Sequence, residues 1–146
     1  MPKVRFFFNE VKVSLTNRTA LKTSIERLFK KEGKRLQFLN VVFCTDDYLL
    51  NINKGFLAHN YYTDIVTFYY SAPKEAVEAE LYISVDRIAD NAKALNVSIK
   101  NELHRVIFHG CLHLCGYGDK SSQQIKKMRE REGYYLRLYF GKQQSK

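Results

Sequence analysis

The chain has 146 residues, of which 45% are hydrophobic and 14% aromatic, and it carries a formal charge of +9 at pH 7 with a pI near 9.5. Such a length can bury one core without staples and predicts a single domain over residues 1–146. Three cysteines without framework spacing exclude a disulfide scaffold and point to a reducing compartment, and no apolar run approaches the ~20 residues of a membrane span. The apolar run in residues 1–8 is too short for a signal peptide, so a soluble cytoplasmic protein with no membrane partner is expected. The charge points to a polyanionic partner, nucleic acid before others.

In chain order, residues 4–8 are β-branched and aromatic and predict a first strand, closed by Asn9-Glu10. Thr16 or Asn17 can cap a helix to about Lys31, with Leu21, Ile25, Leu28 and Phe29 on one face and Gly33 at its end. Residues 35–44, rich in Val, Phe and Leu, predict a second strand. Thr45-Asp46-Asp47 then opens a short helix to about Asn53, with Tyr48, Leu49 and Ile52 inward, and residues 54–60 read as loop. Strands are predicted over 64–70 and 80–85, paired as a hairpin across the exposed Ala72-Pro73-Lys74-Glu75 connection. A helix over 86–95 follows. Ser98 caps a long helix carrying two histidines, Ser121 with Gln124 makes a capping box for the last helix, and the tail over 143–146 is expected to fray. This order of elements predicts an α+β fold, a sheet covered by helices with the histidine helix across it.

The chemistry concentrates between Phe108 and Asp119. Leu103, Val106, Ile107, Gly110 and Leu114 form an apolar stripe at helical spacing, which stacks His109 and His113 one turn apart. Gly116 offers a left-handed helix stop, after which Asp119 can swing back towards the rings. Two imidazoles and a carboxylate make a three-ligand site with a fourth position open, the arrangement of a catalytic zinc. The spacing His-x3-His-x2-Gly-x2-Asp also matches the long zincin pattern. Gly110 stands where a zinc peptidase carries its glutamate base, which argues against peptide cleavage. Cys111 and Cys115 lie about 200° around the helix from the histidines and read as small buried hydrophobes.

Three motifs then carry a resemblance. His109-Gly110-Cys111-Leu112-His113-Leu114-Cys115-Gly116-Tyr117, Thr63-Asp64-Ile65-Val66-Thr67-Phe68 and Ala79-Glu80-Leu81-Tyr82-Ile83-Ser84 occur in the order found in the YbeY family of bacterial endoribonucleases, which the sequence resembles. The resemblance implies a mixed four-stranded sheet, one zinc ion per chain and His109 and His113 as metal ligands. It also implies single-stranded RNA and small-subunit ribosomal components as partners, in cytoplasmic 16S rRNA 3′-end maturation and ribosome quality control. The chain departs from the family pattern at three places. Asp119 replaces the usual third histidine, adding a negative charge that should make bound water less acidic. Leu57 replaces an arginine thought to face substrate phosphate, with His59 the nearest polar substitute. Ala79-Glu80 replaces Gly-Asp, leaving Glu80 as a candidate catalytic acid or base.

The mechanism expected is metal-assisted hydrolysis of an RNA phosphodiester. Tyr61, Tyr62 and Tyr69 are candidate stacking faces for unpaired bases. The rival from another class is a ribosome-biogenesis factor that binds RNA or protein around a mainly structural metal, favoured by Leu57. Nickel or iron would also suit two histidines and an aspartate.

Overall fold

In the computed structural model, which describes residues 3–56 and 63–144, four strands form one sheet in the order β1-β2-β4-β3. Strand β1 (Val4–Phe8) lies parallel to β2 (Leu36–Cys44), with helix α1 (Arg18–Lys31) as the crossover between them. Strand β2 is parallel to β4 (Val77–Ser84), and β3 (Ile65–Tyr69) closes the edge antiparallel to β4. The sheet is therefore mixed, and its antiparallel pair is the hairpin expected from sequence. Helices α2 (Asp46–Phe56), α3 (Val85–Leu95), α4 (Ile99–Leu114) and α5 (Ser122–Gln144) complete the α+β fold.

Strand alternation decides which helix goes where. In β4, Val77, Ala79, Leu81 and Ile83 are buried on one face, beside Leu39, Val41 and Phe43 of β2. Against this face pack Leu21, Ile25, Leu28 and Phe29 of α1, Leu103, Val106, Ile107 and Phe108 of α4, and Met128 and Tyr135 of α5. Each fully buried Leu, Ile or Phe contributes roughly 1.5–3 kcal/mol, so this layer dominates stability. On the opposite face lies α2, whose Leu49 and Ile52 meet Cys44, Val66, Phe68 and Tyr82.

Helix α4 comes unusually close to the sheet. A Cβ on Gly110 would stand 2.7 Å from Ile65 Cδ1 and 2.8 Å from Leu81 Cδ1, so any larger residue there would make these side chains shift. The contact brings the C-terminal half of α4 against β3, the edge that the histidines overlook.

Several sequence expectations are corrected. Helix α2 continues to Phe56, through residues expected as loop, because Lys54 and Gly55 are simply its solvent side. Tyr48, expected inward, is exposed and stacks at 6.4 Å on Tyr82. Strand β4 begins at Val77, since Glu78 and Glu80 occupy the outward positions of an alternating strand. It ends at Ser84, whose hydroxyl accepts from the Arg87 amide and caps α3 from Val85. Asn17 stands at the start of α1 in a left-handed conformation without a side-chain cap. Helix α5 runs on to Gln144, beyond the expected fraying point. The capping box is present: the Gln124 amide donates to Ser121 Oγ and the Ser121 amide to Gln124 Oε1.

Candidate functional site

The site is built at the C-terminal end of α4. Ser98 caps the helix by accepting from the Asn101 amide, and the apolar stripe is buried throughout. Gly116 takes φ +105°, a backbone region that disfavours any side chain, and turns the chain back. The Tyr117 amide donates to Leu112 O at 3.1 Å and the Gly116 amide to His113 O at 3.0 Å, closing the helix end. His109, His113 and Asp119 then line one cleft of about 350 Å³ with Asn53, Asp64 and Lys120.

Each imidazole is held from behind. His109 Nδ1 lies 2.6 Å from Glu132 Oε2, on a carboxylate 1% exposed that also accepts from Arg105 at 3.0 Å and Arg129 at 2.8 Å. Burial alone would push the Glu132 carboxyl up, but the His109 N–H and the two guanidiniums hold it below the usual value. An ionised carboxylate only accepts, so the proton sits on His109 Nδ1. Arg105 is itself gripped by both oxygens of buried Glu102, at 2.8 and 2.7 Å, which keeps the network charge-paired.

His113 repeats the arrangement with backbone. Its Nδ1 lies 3.1 Å from the Tyr117 carbonyl, which can only accept. The Tyr117 phenol in turn donates at 2.8 Å to Glu32, which also accepts from Tyr135 and Arg131 at 2.6 Å each. Burial raises the Glu32 carboxyl, yet the hydrogen bonds from Tyr135, Arg131 and Tyr117 outweigh it and hold it low. Glu32, the residue that ends α1, and Arg131 and Tyr135 of α5 thus clamp the turn that bears Asp119.

With Nδ1–H committed on both rings, a neutral imidazole at either position presents its Nε2 lone pair. Metal-ligating histidines are oriented in this way, by a carboxylate or carbonyl behind the ring. His109 Nε2 faces Asp119 Oδ2 at 3.4 Å, where a lone pair opposes a carboxylate unless a proton or cation lies between. Two ligands at ~2.0–2.1 Å on a tetrahedral ion stand about 3.3 Å apart, so this pair has ligand spacing. An imidazole nitrogen and a carboxylate oxygen are both donors that a divalent ion accepts. His113 opens on the same cleft, but among the described residues no three His, Cys, Asp or Glu side chains converge into a ready-made cage.

Other candidates fall elsewhere. Glu80 points to the opposite sheet face, where Asn40, Tyr70 and Tyr82 donate to it at 3.0, 2.9 and 3.1 Å, so the structure does not bring it to the histidines. His59, Leu57, Tyr61 and Tyr62 lie outside the described residues, and Tyr69 is exposed on β3. Gly110 is pressed into the core, so no base could project into the cleft from there. Cys111 is buried and Cys115 half-buried at the helix end, and all three thiols are free. Sequence reasoning missed Glu132. Its signal was an acid on the buried stripe of α5 between Met128 and Tyr135.

The profile of the family described as Endoribonuclease YbeY matches residues 6–139. The Endoribonuclease YbeY of Cytophaga hutchinsonii is 44% identical over 134 residues, 91% of this chain and 94% of that protein. The Endoribonuclease YbeY of Porphyromonas gingivalis is 40% identical over 132 residues, 90% of this chain and 87% of that protein. The fold is similar to the solution structure of TM1509 from Thermotoga maritima, with TM-score 0.66 and 26% identity over 97% of this chain and 92% of that one.

Proposed function

The chain belongs to the YbeY family, and on that premise we propose that it is a metal-dependent, single-strand-specific endoribonuclease. We place its work in cytoplasmic 16S rRNA 3′-end maturation and ribosome quality control, as one domain with one zinc or other divalent ion held by His109, His113 and Asp119. The observation that carries this reading is the pair of committed Nδ1–H groups. They leave two Nε2 lone pairs and the Asp119 carboxylate turned onto one cleft.

Bound there, the ion would supply Lewis-acid polarisation of a phosphoryl oxygen and a source of hydroxide at neutral pH. The chain's own groups do the rest. Glu132 and the Tyr117 carbonyl hold each ring in the Nε2-free tautomer, so neither has to reorganise as substrate arrives. Lys120, a cation lining the cleft, would pair with substrate phosphate, a task the resemblance gives to an arginine at the position of Leu57. Asn53, Thr63 and Thr67 add hydrogen-bonding groups along the floor. The net charge of +9 concentrates RNA around the molecule and weakens with salt.

The test is cleavage of single-stranded precursor rRNA by nuclease-free protein, with and without chelator, alongside elemental analysis. His113→Ala and Asp119→Ala should lose metal and cleavage together. Full cleavage by metal-free His113→Ala would refute the proposal.

A further inference from the structure

A second cleft, of about 650 Å³, opens at the end of the sheet where β2 and β4 begin. Its wall carries Lys3, Arg27, Lys30, Lys34 and Arg35 against one acid, Glu26. All five cations are exposed, and none joins an ion pair among the described residues. They come from three places in the fold: the face of α1, the turn after it, and the strand start that carries Lys3. Lys30 at the end of α1 also complements the helix dipole, but that does not account for Lys34, Arg35 or Lys3. The turn is built. Gly33 at φ +75° and the Lys34 amide donating to Phe29 O at 2.8 Å set Lys34 and Arg35 on the cleft rim.

We propose that this cleft binds the sugar–phosphate backbone of single-stranded RNA, as an anchor separate from the histidine cleft. The idea rests on the nuclease reading and deepens it. Unpaired cations spaced around a concavity match a run of phosphates, whereas a small anion would need only one or two of them. A further cleft of about 540 Å³ shares Thr23 and Arg27 with the first and adds Lys31, Leu138 and Tyr139, continuing the track over α1 with apolar and aromatic surface. Single-strand binders combine charge and aromatic surface in this way. Strand β4 runs from Val77 at the basic end to Ile83 beside the histidine cleft, about 20 Å at ~3.3 Å per residue. An RNA of several nucleotides could occupy both clefts, and a very short one could not.

The experiment compares wild type with Lys30→Gln/Lys34→Gln/Arg35→Gln and with a charge-matched control, Lys93→Gln/Lys100→Gln/Lys126→Gln, each shown by circular dichroism to be folded. Fluorescence anisotropy follows binding of a labelled ~20-nucleotide single-stranded RNA and a ~4-nucleotide one across salt. Three lost phosphate contacts should lower the salt slope for the long RNA by about 2 and weaken binding about tenfold or more, with little effect in the control. Cleavage of the long RNA should show raised KM with kcat unchanged, and the short RNA should be cut as by wild type. Equal weakening in both variants would reduce the effect to overall charge and overturn the anchor. Unchanged RNA binding would also overturn it, including the case in which the cleft variant loses poly-glutamate binding instead. If the variant binds long RNA normally while His113→Ala stops cleavage, the anchor alone fails. If wild type binds no RNA, the nuclease reading fails with it.

Discussion

Replacing Glu132 by Gln separates aim from stability at the histidine cleft. In the wild type, Glu132 Oε1 accepts from Arg105 and Arg129 while Oε2 accepts from His109. A glutamine can keep its carbonyl on the two guanidiniums, but its amide must then donate to His109 Nδ1. That contact favours the opposite tautomer, with the proton on Nε2, where it blocks ligation. Loss of such an orienting partner costs 10- to 100-fold in metal affinity, about 1.4–2.7 kcal/mol. Stability falls as well, because a buried charge beside two arginines is gone. Breaking such a pair outright costs ~3–5 kcal/mol, and the retained carbonyl should hold the loss nearer the lower end. Metal affinity is read by chelator competition, stability by urea denaturation of the metal-free protein, and the tautomer by imidazole nitrogen chemical shifts. Wild-type metal affinity with an unchanged His109 tautomer in Glu132→Gln would refute the reasoning.

Three other outcomes follow from the packing. Gly110→Ala should lose ~1–2 kcal/mol in urea denaturation, because overpacking against Ile65 and Leu81 exceeds the ~1 kcal/mol that alanine adds to a helix; a gain in stability would show that α4 is not held close by this contact. The three thiols should resist a disulfide reagent at about pH 8 until denaturant is added, since burial pushes Cys44 and Cys115 up to about 12 and Cys111 well above its ordinary value. Rapid labelling of the native protein would contradict this. His104, 2% exposed with Nε2 unpartnered, is held neutral by burial below its ordinary value of 6.5. The unfolded chain therefore takes up the proton first, and stability present above about pH 6.5 declines as pH falls through that value. His104→Phe should flatten that decline in denaturation midpoints, and identical pH profiles would rule the histidine out.

What could be read from sequence was whatever local periodicity or capping encodes. The stripe of α4, the Ser98 cap, the Ser121–Gln124 box and the stop at Gly116 all depend on neighbours within a few residues. The hairpin was legible because two apolar runs flank an exposed turn. The start of β4 was not, because glutamates at alternate positions hide a strand whose other face is buried. Tyr48 was misplaced because an apolar ring on a helix looks inward until a partner such as Tyr82 gives it a stacking face outside. The residues that aim the rings were beyond local reading altogether: Glu132 lies 23 positions from His109, and Glu32 lies 85 from Tyr117. Only the docking of α1, α4 and α5 on one sheet face brings those pairs together.

The placement of Glu132 on α5 also orders events during synthesis. A nascent polypeptide extended only as far as Asp119 would own every proposed ligand, yet His109 would have no acceptor behind it and Glu32 would lack Arg131 and Tyr135. The carboxylate that aims His109 thus arrives only with α5, and a prematurely terminated product would carry the motif with that ring unaimed.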